Sequence, residues 1–155
     1  MDQRREITDG LQEVMAGEPW YGPSLETLLA SLDADTAWCS PAMGRHRIVD
    51  LVLHLDAWQR LVLARLDSPR HLEMAPEVNW PEAGEASEEI WQRYRRRLEE
   101  GHLRLLTRIS SLSPEEQAAT VPGLPWSVHE MLRGLIQHHV YHAGQIAQLA
   151  SRPRD

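Results

Sequence analysis

The sequence predicts an all-α fold, a four-helix bundle forming one domain over residues 1–155. Three observations carry this. Apolar residues recur at steps of three and four along the stretches 46–66, 87–110 and 126–150. Serines stand where helix N-caps belong, at Ser24, Ser87, Ser113 and Ser127. No run alternates apolar and polar residues as a half-buried strand would, and no segment repeats another.

Taken in order, residues 4–16 read as a short helix with Ile7, Leu11, Val14 and Met15 on one side. The turn-rich GEPWYGP ends it. Ser24 caps a second stretch whose buried stripe is Leu25, Leu28, Leu29 and Leu32. Residues 33–45 are irregular, with one helical turn around Asp35–Trp38. In 46–66, Leu51, His54, Trp58, Leu61 and Arg65 recur at helical steps, widened by Leu55 and Val62. Residues 67–86 form a long connection between the second and third main helices, rich in proline. Connections of that length often cover functional sites, and Trp80 is its natural anchor. Ser87 caps a helix to about Ser110, with Ile90, Tyr94, Leu98, Gly101, Leu105 and Ile109 facing inward. Its Arg93, Arg95, Arg96 and Arg97 read as a solvated face balanced by nearby glutamates. Ser113-Pro114-Glu115-Glu116 opens a short turn of helix.

The last stretch is the best defined. Ser127 and Glu130 have capping-box spacing, and Trp126 and Met131 have that of a hydrophobic staple. Met131, Leu135, His138, His142, Gln145 and Leu149 then form a seam at steps of three and four. Two histidines thus replace apolar seam residues, one turn apart and about 6 Å along the axis.

Composition removes several classes of function. The net charge of −7 disfavours nucleic acid or an anionic membrane as partner. All 16 basic residues are Arg, so neither a Schiff-base lysine nor a P-loop is present. Cys39 is alone and can form no intrachain disulfide. No stretch has the length of a membrane helix and the N-terminus lacks signal-peptide character, so a cytoplasmic protein is expected.

Of the eight histidines, His54, His138 and His142 lie on apolar helix faces. For any one, a core histidine bonded to a neighbour is the ordinary explanation. Burying three neutral imidazoles without partners is costly, whereas one divalent ion satisfies all three at about 2.0–2.1 Å each. His139 lies about 100° off the seam and is expected at the surface. His71 falls in the connection, His129 in a first helical turn, and His102 one residue past the seam. His46 stands at a helix start, near enough to border a site. HHVYH has the paired histidines of a zincin but His139 where the general-base Glu belongs. No Glu-x-x-His pattern suits a di-iron bundle.

LVLHLDAWQRLVLARL, followed far downstream by LPWSVHEMLRGLIQHHVYHAGQIAQL, resembles the DinB/YfiT-like superfamily from GPSLETLL onward. The most specific part is His–x–x–x–His–x–Gly–Gln, here His138, His142, Gly144 and Gln145. The family's first ligand falls on His54, with Trp58 following. Its frequent His-Ser helix start appears as His46–Arg47, losing a cap but no ligand. The resemblance implies a four-helix bundle with a divalent metal, usually zinc or nickel, on three histidines, and often a homodimer. Relatives include thiol-dependent S-transferases and a mycothiol-dependent maleylpyruvate isomerase.

The expectation is a metal-dependent enzyme, such as an S-transferase that joins a low-molecular-weight thiol to a small electrophilic substrate. The alternatives are a metal-dependent hydrolase and a non-catalytic metal-binding bundle serving storage, stress response or assembly. His54, His138 and His142 are the expected metal ligands. Gln145, Tyr141, His46, Trp58 and Trp80 are expected to support them or to touch substrate.

Overall fold

The computed structural model describes residues 3–41 and 46–151. Their regular structure is helical: α1 Gln3–Ala16, α2 Leu25–Ala30, α3 Ala34–Trp38, α4 Ile48–Asp67, α5 Pro76–Asn79, α6 Glu88–Ser110, α7 Pro114–Ala118 and α8 Val128–Ala150. An isolated antiparallel bridge joins Thr120 to Ser127, where the chain turns into α8. The expected irregular segment 33–45 falls partly at 42–45, outside the described residues.

The helix starts follow from side-chain chemistry. Ser127 Oγ accepts the Glu130 N–H at 3.2 Å, and the Glu130 carboxylate accepts the Ser127 N–H at 2.8 Å. Ser113 and Glu116 make the same reciprocal pair, and Ser87 caps Ile90. At α4 a charge pair replaces the serine cap. The Asp50 carboxylate accepts the Arg47 backbone N–H at 2.8 Å and its guanidinium at 2.7 Å. An acidic group in the first turn also suits the helix dipole.

α4 lies at the centre. From Ile48 through Ala57 every residue but Asp50 is buried, because the helix packs against α3, α5, α6 and α8 together. α1 closes the opposite side against α6 and α8. One apolar cluster gathers Leu25, Leu29, Val52, Leu55, Trp91 and Ile146. A second gathers Ile7, Leu11, Val62, Leu105, Ile109 and Leu132. Each such side chain contributes about 1.5–3 kcal/mol when fully buried.

The inward face of α6 differs from the expected one at two positions. Trp91, not Ile90, is fully buried, and its indole N–H donates to the Leu32 carbonyl at 2.9 Å. His102, not Gly101, is buried. Gly101 instead lets α6 approach α4: a Cβ there would lie 2.5 Å from Gln59 Oε1. The arginine run also does more than line a solvated face. Arg97 crosses to α4 and, with Arg60, holds the buried Asp56 carboxylate at 2.7 and 2.9 Å.

The connection between α4 and α6 is tied down at several points. Arg65 Nε and Nη2 donate to the Leu72 carbonyl at 3.0 and 2.8 Å. Trp38 Nε1 donates to the Gly84 carbonyl at 2.9 Å, and the Gly84 N–H donates to the Tyr94 hydroxyl at 3.1 Å. Pro76 at the first position of α5 pre-sets a single helical turn. That turn delivers Asn79 and Trp80 to the side of α4.

Candidate metal centre

His54 comes from α4, and His138 and His142 come from successive turns of α8. The packing of these two helices brings the three rings together. His138 Nε2 lies 3.0 Å from His54 Nε2 and 3.0 Å from His142 Nε2. The three candidate ligand atoms all fall within 4.8 Å of one another.

The outer hydrogen bonds decide what these nitrogens can do. His54 Nδ1–H donates to the Asn79 carbonyl at 2.7 Å, and His142 Nδ1–H donates to Gln145 Oε1 at 2.6 Å. In a neutral ring that leaves Nε2 as a bare lone pair on both. His138 Nε2 faces both lone pairs and can give a proton to only one. A cation, in contrast, is satisfied by all three. This donor set fits a divalent metal ion, and neutral imidazole is the form a metal requires. His54 and His142 also show the outer acceptors that orient metal-bound histidines. His138 Nδ1 has no such acceptor among the described residues and is out of contact with water.

Burial enforces neutrality. Desolvation, opposed by the Asn79 bond and helped by the neighbouring His142 and His46, lowers the His54 pKa to about 4. Desolvation and the other histidines lower His138 to about 3. His142 is also lowered, first by desolvation, with the Gln145 bond opposing. The three rings therefore repel protons at neutral pH and keep their lone pairs available.

The aromatic rings around the cluster are those of Trp80, His46, Trp58 and Tyr141. Trp80 is stacked between His54 and His46, with ring centroids 3.9 and 3.6 Å away. Trp58 stands 5.4 Å from the His138 ring, and its indole N–H donates to Asn79 Oδ1 at 2.9 Å. Tyr141 meets His142 edge-on at 5.1 Å while remaining largely exposed. Sequence reasoning missed Asn79. Its backbone carbonyl fixes the His54 tautomer, and no side-chain pattern marks a carbonyl for that task.

His139 contradicts its expected place at the surface: it is 0% exposed. α8 is covered by α1 as well as by α4, so its buried arc is wider than a single seam. His139 Nδ1–H donates to the Leu135 carbonyl at 2.9 Å, and its Nε2 accepts from Gln59 Nε2–H at 3.1 Å. Both nitrogens are thereby engaged away from the three converging rings. His102 Nε2–H donates to Gln12 Oε1 at 3.1 Å in the core. His71 is exposed, and its Nδ1 bonds the Pro122 carbonyl at 2.9 Å. Cys39 is exposed, with its thiol toward the Ser40 carbonyl at 3.8 Å.

A cleft of about 540 Å³ opens beside the centre. Trp58, Val62, Trp126, Met131 and Leu135 line it, and His138 joins it to the histidine cluster.

A family model described as the DinB superfamily matches residues 23–146. The chain belongs to the DinB superfamily. The matched span runs from the N-cap region of α2 into the last turns of α8 and includes all three converging histidines. DinB proteins are in general metal-binding, and His54, His138 and His142 form a group that could hold a metal ion here. No curated protein and no solved structure matches the chain. No helix among the described residues is long and apolar enough to cross a membrane.

Proposed function

We propose that this DinB protein is a divalent-metal-dependent enzyme that joins a low-molecular-weight thiol to a small electrophile. The observation that supports it best is the convergence of three neutral imidazole Nε2 atoms beside an open cleft. A zinc or nickel ion on three imidazoles would supply Lewis acidity, lowering the pKa of a bound water toward about 7 or keeping a thiol as thiolate.

The chain's own residues supply orientation and shielding. The Asn79 carbonyl and Gln145 hold two of the rings by their outer nitrogens. The Trp80 indole covers the face of His54 and keeps water from it. Tyr141 presents an exposed phenol beside His142, within reach of a molecule entering from solvent. Cys39 has no base beside it among the described residues, so it is a poor protein nucleophile.

The test is loss of a chlorodinitrobenzene-type electrophile, with glutathione, mycothiol and bacillithiol supplied in turn. Turnover is expected with at least one thiol. It should be lost on metal removal and retained by Cys39→Ser. Turnover that survives metal removal, or that vanishes with Cys39→Ser, overturns the assignment. Silence with every thiol moves the reading to hydrolysis or to metal binding without catalysis.

We also propose a cytoplasmic homodimer. Trp20, Tyr21 and Leu103 are exposed apolar side chains, outside the cleft, that a second copy could cover. Sedimentation at micromolar concentration should give the mass of two chains. A monomer there refutes it.

A further inference from the structure

The cleft between α4 and α8 contains one charge that the fold leaves without its opposite. Arg65 lines it and is half-buried. Three other partly buried arginines each hold a carboxylate: Arg47 pairs with Asp50, Arg97 with Asp56, and Arg108 with Asp67 and Glu116. Arg65 has no carboxylate within 4 Å among the described residues. Its Nε and Nη2 are spent on one carbonyl oxygen, that of Leu72, which fixes the guanidinium in place. Nη1 has no protein acceptor among the described residues. A cation taken partly out of water without a counter-charge is costly, and burial correspondingly lowers the Arg65 pKa.

The other charges on the cleft are Arg133 and Glu130. Arg133 is exposed. Glu130 is already engaged, accepting the Ser127 N–H and hydroxyl at 2.8 and 2.9 Å. Two arginines against one glutamate leave the cleft positive in a chain of net charge −7. Its walls are otherwise Trp58, Val62, Trp126, Met131 and Leu135, which suit a flat apolar body.

We propose that this cleft binds a small aryl carboxylate, its ring against the apolar wall and its carboxylate on Arg65. The guanidinium offers a fixed, directional donor to an anion. His138 lies in the same wall, so a bound ring sits next to the histidine cluster. Treating that molecule as the electrophilic substrate rests on the enzymatic reading above; the binding itself does not.

The probes are 2-naphthoate and its neutral counterpart 2-naphthylmethanol, titrated calorimetrically into the full chain, metal-free and zinc-loaded. Naphthoate should bind at least about tenfold more tightly than the alcohol in the metal-free protein, as a charge-assisted contact predicts. Arg65→Gln should remove that preference and leave alcohol binding unchanged, whereas Arg65→Lys, which keeps the charge but not the fork held by the Leu72 carbonyl, should keep only part of it. Gly134 lines the cleft, and an added Cβ there meets nothing within 4 Å. Gly134→Trp should therefore fold and abolish binding of both probes.

Equal affinity for the two probes overturns the proposal. So does a carboxylate preference that appears only with zinc, since the metal and not Arg65 would then hold the anion. A cleft that takes neither probe, in a dimer that Gly134→Trp dissociates, would show that a second copy occupies it. Naphthoate binding to a protein that fails to bind zinc would sink the enzymatic reading and leave the cleft standing. Zinc binding without naphthoate binding would do the reverse.

Discussion

Alanine at His54, His138 or His142 should each leave the folded protein unable to retain zinc or nickel through desalting. Any metal-dependent turnover should fall to background with it. Each substitution removes one of three lone pairs that meet within 4.8 Å, and the remaining two offer only a bidentate site. The outer partners should give a graded effect. Gln145→Met removes the acceptor that fixes His142 Nδ1–H at 2.6 Å, which should weaken metal binding about 10–100-fold without abolishing it. Gln145→Glu should keep the acceptor and most of the affinity. The adjacent histidine is the sharpest control. His139→Ala should leave metal affinity near normal while destabilising the fold by about 1–3 kcal/mol, because Gln59 Nε2 loses its buried acceptor. Metal content by elemental analysis and affinity by competition with a chromophoric chelator would check all six variants. Wild-type affinity in His138→Ala, or loss of metal in His139→Ala, would show that the wrong ring is assigned.

The contrast between His138 and His139 also shows where the sequence was readable. The caps are local chemistry, so Ser24, Ser87, Ser113 and Ser127 announced their helices within one turn. The seam of α8 correctly aligned His138 with His142, because residues four apart on a helix share a face whatever surrounds them. A seam assumes one neighbour, however, and α8 has α4 on one side and α1 on another. A second stripe of helical period, Leu132, Leu135, His139, Ala143 and Ile146, is therefore buried as well, and choosing the Met131–His138–His142 seam alone left it out. At α6, the close approach of Gln59 to Gly101 decides which residue turns inward, and that contact joins positions far apart in sequence. Asn79 was invisible for a different reason: it acts on His54 through its main chain, and any residue there would carry the same carbonyl. Asp56 and Gln59 were unmarked because they are buried on the back of α4, and their partners Arg97 and His139 lie on other helices.

The same buried histidines set the response to metal and to acid. An ion bound only by the folded state adds stability by mass action. The gain is about 2.7 kcal/mol when free metal is a hundredfold above Kd. For a chain of this size about 2–4 °C accompanies each kcal/mol, so a chelator should lower Tm by roughly 5–11 °C. His142→Ala should start low and show no chelator effect. An unchanged Tm with chelator, in protein shown to carry metal, would refute a metal contribution to folding. The metal-free protein should also lose stability with acid. Unfolded histidines titrate near 6.5, whereas desolvation holds His102, His139 and His54 at about 4 and His138 at about 3 in the fold. Below pH 6.5 the unfolded chain therefore binds more protons than the folded one, and unfolding becomes easier as pH falls. The stability that neutral burial allows should be intact above about 6.5 and drain away as pH descends toward 4. His102 separates this effect from the metal, since it lies in the core with Gln12 as its partner and outside the converging group. His102→Gln should flatten the slope of stability against pH between 6.5 and 4 while preserving the chelator shift at pH 7.5. Denaturant melts at stepped pH would measure both, and a slope unchanged by His102→Gln would mean that this ring is not held neutral by the fold.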